Sequence, residues 1–249
     1  MAPVPLEVAV FSVADALLSA SLGASRIELN HPGSYPLGGL TPPASALSAL
    51  SDLPIPVRVM IRPRGPPPPP DRTPDFIYTA AEVDAMHAAI AQLKPAMDAR
   101  RGDGFVFGAL TRDGRAVEEQ VCAALVAGAA PFACVFHRAF DGLADLQGGV
   151  EVLGRCGFAG VLTAGGARGG APENVQKLGE VCEAARRKGG LEVVAGGGVR
   201  HGNVATVVRG RGGAAPGWVH SAALKPDGTG LDEDELRRLL AALAREDEA

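Results

Sequence analysis

The sequence is short of aromatic residues, cysteines and long apolar stretches, and each shortage excludes a class of protein. Aromatic residues make up 4% of the 249 residues, so small aliphatic side chains must supply most of the core. The four cysteines are widely spaced and form no CxxC motif of the zinc or redox type. A disulfide framework is unexpected at this chain length. No stretch approaches the roughly 20 apolar residues that span a bilayer.

Strong charge of one sign is also missing. The net charge is −4, and lysine and arginine form no large cluster of the kind that neutralises nucleic-acid phosphates. The first residues lack the basic start and the apolar run of a secretory signal. We therefore expect a cytoplasmic or nucleocytoplasmic protein that binds a small molecule or a metal ion, with no nucleic-acid or membrane partner.

Short apolar runs alternate along the chain with longer amphipathic stretches, which predicts alternating strands and helices. The predicted strands are 6–10, 26–29, 57–61, 104–107, 132–136, 160–163, 192–195 and 218–220. The predicted helices are 12–22, 79–93, 117–127, 143–155, 172–188, 202–209 and 231–243. This order favours parallel strands joined by right-handed crossovers.

Eight such units in a chain of this length favour a single (β/α)8 TIM barrel over residues 1–249. An open, doubly wound α/β sheet is the alternative. Residues 64–74 contain five consecutive prolines and form a predicted Pro-rich insertion at the barrel rim, either a lid, a partner ligand or a stiff loop without function. The acidic tail, 245–249, is expected to fray.

Polar residues follow several of the predicted strands, at the barrel end where active sites lie. Because charged groups after buried strands are costly unless paired or hydrated, several of them together predict a shared pocket. The candidate catalytic residues are Glu28, Arg62, His137, Asp141 and His220. The candidate ligand-binding residues are Arg64, Arg138, Thr163, Gly196, Gly197, Gly198 and Ser221.

Each candidate also has a purely structural interpretation. Glu28 and Arg62 could neutralise each other as an ion pair. His137 could bond a neighbouring carbonyl, and Asp141 could cap the helix that begins near Leu143. If the site is catalytic, Glu28 or His137 is the base, Asp141 orients His137, and Arg62 with Arg138 holds an anion.

The three glycines 196–198 form a separate signal. They precede a predicted helix near Asn203, so their backbone N–H groups could accept an anion, with Ser221 completing the site. Barrels commonly bind phosphate with the loops after strands seven and eight. The alternative is that the glycines only allow a tight turn.

The chain resembles the copper homeostasis protein family CutC. The resemblance is carried by LEVAVFSVADAL, GASRIEL, GGLTP, VMIRPRG, DFIY, GFVFGALTRDG, FHRAFD, VLTAGG, GGGV and the final His-Ser, which run in the family's order over most of the chain. It implies a cytoplasmic eight-stranded barrel, often dimeric, that is implicated in copper handling and has no firmly assigned reaction.

The sequence departs from the family at residues that bear on copper. The resemblance implies a Cu(I) site built from cysteines of the first two strands in some animal members, and those positions are Ala9 and Asn30 here. The family's serine-arginine ending is replaced by residues 222–224, Ala-Ala-Leu. Met60, His137 and His220 are the remaining candidate copper ligands, in no recognised metal motif.

Two hypotheses therefore stand. The first is a copper homeostasis protein of the CutC type that binds copper in a polar pocket. The second is a small-molecule enzyme, a lyase, isomerase or hydrolase, that acts on an anionic substrate by general acid–base catalysis. No lysine stands at a strand end in a position to form a Schiff base, which disfavours a lysine aldolase.

Overall fold

The computed structural model describes residues 4–70, 75–210 and 214–247. Eight parallel strands form a closed barrel in chain order. The strands are β1 (Leu6–Val10), β2 (Arg26–Leu29), β3 (Val57–Met60), β4 (Gly104–Phe107), β5 (Ala133–Phe136), β6 (Gly160–Thr163), β7 (Glu192–Ala195) and β8 (Trp218–Ser221). The predicted (β/α)8 barrel is confirmed, and the open sheet is excluded because β1 pairs with β8.

Helices connect the strands around the outside of the barrel. In the described residues they are α1 (Val13–Leu22), α2 (Ala44–Ser48), α3 (Ala80–Leu93), α4 (Glu119–Ala129), α5 (Leu146–Cys156), α6 (Val175–Lys188), α7 (Val204–Arg209) and α8 (Glu233–Asp247). None of these helices is both long and apolar enough to cross a membrane.

The strands divide their side chains between two cores because successive residues of a strand point to opposite faces. One set packs between the strands and the helices, and includes Val8, Ile27 and Phe105. The other set fills the barrel itself and consists of Met60, Val106, Val135, Leu162 and Val194, with Trp218 packed against them. The inward positions beyond this inner core carry polar groups, which sets up the site at the mouth.

Side-chain caps fix where several helices begin. The hydroxyl of Ser12 accepts from the N–H of Asp15 at 3.0 Å and starts α1. Thr79 and Glu82 form a reciprocal capping box at α3. Asp232 accepts from the N–H of Glu235 at 3.1 Å before α8.

The structure differs from the prediction at several boundaries. Asp145 caps α5 by accepting from the N–H of Gly148, so Asp141 is not that helix's cap; residues 138–142 form a separate 3-10 turn instead. The short helix α2 was not predicted. α8 continues through Asp247, and Glu246 pairs with Arg209 of α7, so residues 245–247 extend the helix. Residues 248–249 lie outside the described residues.

The Pro-rich segment follows β3, at the barrel end where the strands terminate. Its described part, 64–70, begins with Arg64, whose guanidinium binds the carboxylate of Glu82 at 2.5 Å and the carbonyl of Ile77 at 2.6 Å. Arg64 therefore ties this loop to the start of α3. Residues 71–74 lie outside the described residues, and an interaction role for the insertion stays a prediction.

Candidate functional site

A cavity of about 590 Å³ opens at the C-terminal ends of the strands. All five predicted catalytic residues line it: Glu28, Arg62, His137, Asp141 and His220. Four of the predicted ligand-binding residues line it as well: Arg138, Gly197, Gly198 and Ser221. Residues far apart in sequence thus share one pocket, because parallel strands of a barrel end at the same mouth.

The other three predicted ligand-binding residues do not line the cavity. Arg64 is turned towards Glu82. Thr163 lies behind the wall and donates its hydroxyl to Asp141 at 2.6 Å. Gly196 packs below the surface, where an added Cβ would lie 2.6 Å from Leu162 and 3.2 Å from His220. Arg64 and Thr163 support lining residues, and Gly196 makes room for them.

Glu28 stands at the end of β2 with one carboxylate oxygen uncommitted. Its Oε1 accepts from the side-chain amide of Asn30 at 3.1 Å, while its buried Oε2 has no partner. Burial raises the pKa of Glu28, and the negative charge of Glu7 adds to the effect. A carboxyl whose pKa lies above the ordinary value is suited to exchange protons near neutral pH.

His220 lies close to Glu28 and is fixed by a second carboxylate. Its Nδ1 is 2.7 Å from Oε1 of Glu7, and ligand atoms of Glu7, Glu28 and His220 all lie within 4.8 Å of one another. Burial would lower the pKa of His220, but the charge of Glu28 and the contact with Glu7 outweigh burial and raise it. The surroundings of His220 therefore favour the imidazolium form more than water does.

His137 has the opposite character. Its Nδ1 accepts from the N–H of Ala139 at 3.4 Å, so the neutral ring carries its proton on Nε2, which is buried without a partner. Burial, together with the nearby charge of Arg62, lowers the pKa of His137 to about 3. His137 is therefore a neutral hydrogen-bond donor towards the cavity, and the predictions that it serves as a base or bonds a carbonyl are not supported.

Arg62 organises the rim between the loops that follow β2 and β3. Its Nη1 donates to the carbonyls of Leu37 and of Gly39, the latter at 2.9 Å. Its Nη2 binds Asp75 at 2.6 Å. The carboxylate partner of Arg62 is thus Asp75, and the alternative of an ion pair with Glu28 is wrong. The Nε of Arg62 is buried without a partner.

Arg138 and Asp141, which follow β5, form an ion pair at the cavity. The Nε of Arg138 binds Asp141 at 2.8 Å, and Asp141 also accepts from Thr163 and from the N–H of Ala164. Asp141 therefore orients Arg138, and the prediction that it orients His137 is wrong. A Cβ on Gly197 would lie 3.0 Å from the guanidinium carbon of Arg138, so the glycine allows that group to lie over the backbone.

A third arginine, Arg200, lines the cavity just beyond the glycines. Its Nη1 donates to the carbonyl of Leu224 at 2.8 Å, and within the described residues it pairs with no carboxylate. Gly197 and Gly198 have positive φ angles of 100° and 72°. Because α7 begins only at Val204 and is short, the groups on this side of the cavity that could bind an anion are these arginines and the glycine backbone rather than the helix start.

Unsatisfied polar atoms concentrate at the cavity. In the described part of the chain, seven buried side-chain atoms lack a hydrogen-bond partner. Four of the seven belong to residues that line the cavity: Glu28 Oε2, Asn30 Oδ1, Arg62 Nε and His137 Nε2. Since a buried polar atom without a partner costs roughly 1–3 kcal/mol, bound water or a polar ligand in the cavity would complete these bonds.

Sequence reasoning missed four residues that shape the site: Glu7, Asp75, Phe76 and Arg200. Glu7 was overlooked because it lies within β1 rather than at its end, although it shares the inward face with Ala9, two residues on. Phe76 has a φ of 66°, and its ring lies beside His137, with centroids 4.6 Å apart. Asp75 and Phe76 begin the DFIY segment of the family resemblance, but no periodicity marks them as site residues, since both lie in an irregular loop.

The described residues do not fit a Cu(I) thiolate site. Cys122, Cys134, Cys156 and Cys182 are all buried, and none of them lines the cavity. Burial raises the pKa of the Cys122, Cys134 and Cys182 thiols to about 12, which favours the protonated form that binds metals poorly. The cavity offers one soft sulfur ligand, the thioether of Met60.

Comparison with known proteins matches residues 4–223 to the model of the CutC family. The chain belongs to the CutC family. It is 38% identical over 208 residues to the copper homeostasis protein cutC homolog of Mus musculus, covering 83% of this chain and 70% of that protein. It is 36% identical over 207 residues to a family protein CutC of Caulobacter vibrioides, covering 82% and 76% of the two chains.

Solved structures agree on the barrel. A copper homeostasis protein CutC from Streptococcus agalactiae superposes with a TM-score of 0.74 at 24% identity, covering 88% of this chain and 98% of that one. Phosphoribosylanthranilate isomerase from Thermotoga maritima superposes with a TM-score of 0.58 at 12% identity, covering 97% and 98%. At these identities the likeness shows the fold alone. The predicted CutC resemblance is thus confirmed by the family model and the relatives.

Proposed function

We propose that this CutC-family barrel is an enzyme that moves a proton on a small anionic molecule, in an isomerase or lyase reaction. The observation that carries the proposal is the Oε2 of Glu28, a buried carboxylate oxygen without a hydrogen-bond partner on a residue that lines the cavity close to His220. A carboxyl with a raised pKa and a free oxygen is the usual form of a general acid–base group.

The two histidines have complementary roles in this scheme. Glu28 removes a proton from a carbon next to a carbonyl group and later returns it. The Nε2–H of neutral His137 donates to the carbonyl oxygen as negative charge develops there, which stabilises an enolate. The charged ring of His220 lies beside Glu28 and favours its carboxylate state.

The side of the cavity that is lined by Arg138 and Arg200 holds the anionic end of the substrate. Arg138 is oriented by Asp141, and Arg200 has no carboxylate partner among the described residues. A carboxylate or phosphate between these guanidinium groups, against the backbone of Gly197 and Gly198, would gain charge-assisted hydrogen bonds. The cavity volume of about 590 Å³ suits a molecule of the size of a sugar phosphate or a small acid.

Copper binding is the weaker proposal for this chain. The names of its relatives refer to copper homeostasis, but the cavity residues at the two family cysteine positions are Ala9 and Asn30. Met60, His137 and His220 line the cavity without the thiolate ligands that Cu(I) prefers. The proposed reaction therefore has no step that involves copper.

The test is solvent exchange. A panel of sugar phosphates, sugar acids and 2-oxo acids is incubated with the protein in D₂O, and loss of C–H signals is followed by proton NMR. This readout needs no knowledge of the product, because a group that removes a carbon-bound proton returns deuterium. We expect exchange in a member of the panel, and a loss of about 10²–10⁴-fold in the Glu28→Gln variant.

The matched control is Glu119→Gln, which makes the same chemical change at an exposed residue paired with Arg155 on the outside of the barrel. It should exchange the substrate at the wild-type rate. Exchange in no member of the panel, or equal rates for Glu28→Gln and wild type, would contradict the proposal.

A further inference from the structure

A ladder of four buried charged side chains, Glu7, Arg26, Glu28 and His220, lies inside the barrel. The proposed reaction uses only Glu28 and His220. Glu7 lies on β1, Arg26 and Glu28 on β2, and His220 on β8. The strand register places Glu7 directly beside Arg26 on one side and His220 on the other. Glu7, Arg26 and His220 therefore lie at one level inside the barrel, and Glu28 lies one inward position further towards the cavity, which it lines together with His220.

Glu7 divides its carboxylate between the two neighbours. Its Oε2 is 2.5 Å from Nε of Arg26, and its Oε1 is 2.7 Å from Nδ1 of His220. Both Glu7 and Arg26 are almost fully buried, at 3% and 2% exposure. Glu7 is thus held on both oxygens and has no freedom to turn away from the histidine.

Arg26 in turn is fixed from two other directions. Its Nη2 binds Glu192 of β7 at 2.9 Å, and its guanidinium lies over the ring of Trp218, 3.8 Å from the centroid. A buried arginine with two carboxylate partners and a stacked indole is a rigid anchor. The position of Glu7 is therefore set by the barrel floor, and the position of His220 is set by Glu7.

From this geometry we propose that Glu7 is a positioning residue for the proton-transfer site: it fixes His220 through Nδ1 and keeps the ring charged beside Glu28. This inference rests on the proposed function for its catalytic consequence. Glu7 itself lies outside the cavity lining, so it acts through His220 rather than on a substrate.

The surrounding charges support a charged ring. Burial and the charge of Arg26 act to lower the pKa of His220, but Glu28 and Glu7 outweigh them and raise it. Arg58 on β3 and Arg26 act on Glu7 and, with the hydrogen bond to His220, hold its pKa at about 2 in spite of burial. Glu192 on β7 neutralises part of the charge of Arg26. Two carboxylates thus act on the histidine, and Arg26, the positive group that opposes them, is engaged by Glu7 and Glu192.

The experiment follows the ring directly by NMR of the full-length protein labelled with ¹⁵N-histidine. The chain has five histidines, and the His220 signals are assigned from their loss in His220→Gln. In wild type we expect both ring nitrogens of His220 to be protonated at pH 7. In Glu7→Gln we expect the titration midpoint of His220 to fall by about one unit or more, because one of its two carboxylate partners is gone.

Glu192→Gln is the matched control. This variant makes the same Glu-to-Gln change and removes a partner of Arg26. Glu192 does not contact His220, so the titration midpoint of His220 should stay within a few tenths of a pH unit. A neutral His220 ring in wild type at pH 7 overturns the inference without any variant. An unchanged midpoint in Glu7→Gln overturns it as well.

The same variants separate this inference from the proposed function. If solvent exchange occurs, Glu7→Gln should lower kcat and shift its pH profile with little change in KM, as expected for a residue that does not touch the substrate. If His220 titrates as described but nothing in the panel exchanges, the assigned role of Glu7 towards His220 stands and the proposed reaction fails. If exchange occurs and Glu7→Gln leaves the kcat profile unmoved, Glu7 has no positioning role.

Discussion

The ring of Phe76 lies against the imidazole of His137, with centroids 4.6 Å apart and planes inclined by 56°. The guanidinium carbon of Arg62 also lies over the Phe76 ring, 4.8 Å from its centroid. Phe76 thus contacts both a neutral histidine and a permanent positive charge, in a backbone conformation with positive φ that a bulky residue rarely adopts. The ring of Phe76 helps to bury His137, which lines the cavity.

The neutral state of His137 predicts an acid-sensitive fold. The pKa of His137 in the folded protein is about 3, below the ordinary value of about 6.5 that applies when the chain is unfolded. The unfolded chain therefore binds the proton more tightly, and stability falls as pH drops from about 6.5 towards 3, by at most about 1.4 kcal/mol per pH unit. Urea unfolding of wild type and His137→Asn at pH 7, 6, 5 and 4 measures this slope.

His137→Asn removes the titrating group, so its free energy of unfolding should depend less steeply on pH than that of wild type. All other groups titrate in both proteins, and the difference between the two curves isolates His137. Parallel curves over this range would show that His137 is not held neutral by its surroundings.

Two neighbouring glycines allow a direct test of whether the space beside Arg138 matters. Gly197 and Gly198 both have positive φ, but a Cβ on Gly197 would lie 3.0 Å from Arg138, while a Cβ on Gly198 would meet nothing within 4 Å. Gly198→Ala should cost about 1 kcal/mol through backbone strain alone. Gly197→Ala should cost more, about 2–3 kcal/mol, and should also displace Arg138.

Urea unfolding measures the loss of stability in each glycine variant. An NMR titration with inorganic phosphate measures the change in phosphate affinity. We expect Gly197→Ala to weaken phosphate binding more than Gly198→Ala does. Equal losses of stability and of affinity would mean that the guanidinium of Arg138 does not depend on the space above Gly197.

Because the guanidinium of Arg62 binds three partners at once, we predict that lysine cannot replace it. One guanidinium reaches the carbonyls of Leu37 and Gly39 and the carboxylate of Asp75, and a single ammonium group cannot span these partners. Arg62→Lys should destabilise the protein by about 2–3 kcal/mol and speed amide exchange at residues 37–39. Arg64→Lys, a partly exposed neighbour, should cost about 1 kcal/mol or less.

Hydrogen–deuterium exchange with mass spectrometry resolves the rim loop in both arginine variants. Faster exchange at 37–39 in Arg62→Lys, with the rest of the barrel unchanged, is the expected pattern. If Arg64→Lys loosens the same segment equally, Arg62 is not what ties the loop after β2 to the loop after β3.

The absent cysteines predict a gain of copper affinity on substitution. Ala9 and Asn30 both line the cavity, at the positions where the family resemblance implies copper-binding cysteines. Because thiolates are the preferred Cu(I) ligands, the double variant Ala9→Cys/Asn30→Cys should bind Cu(I) far more tightly than wild type in competition with a chelator. Each single variant serves as a control and should gain less. Tight binding by wild type would show that the histidines and Met60 suffice.

Much of the fold could be predicted because it depends on local patterns. Buried parallel strands are continuous apolar runs, and each of the eight was found within one or two residues of its observed ends. Glu28, Arg62, His137, Asp141 and His220 could be placed at one cavity because they follow strands, and the closed barrel brings strand ends together. The observed partners were less predictable.

Pairings among these residues depend on loop geometry that the sequence does not show. Arg62 binds Asp75, which lies in the irregular segment after β3, and Asp141 binds Arg138 and Thr163 rather than His137. Glu7 lies inside a strand, where a charged residue is unexpected unless its neighbours across the barrel neutralise it. Those neighbours, Arg26 and His220, are known only once the register is known.

The single tryptophan of the chain, Trp218, lies inside the barrel with Arg26 stacked on its ring. Its emission therefore reports on the barrel floor. Because Arg26 lies directly over the indole, we expect a rearrangement of Arg26 to change that emission. The protein thus contains a native optical reporter for the charges that lie under its mouth, with no dye or label to be introduced.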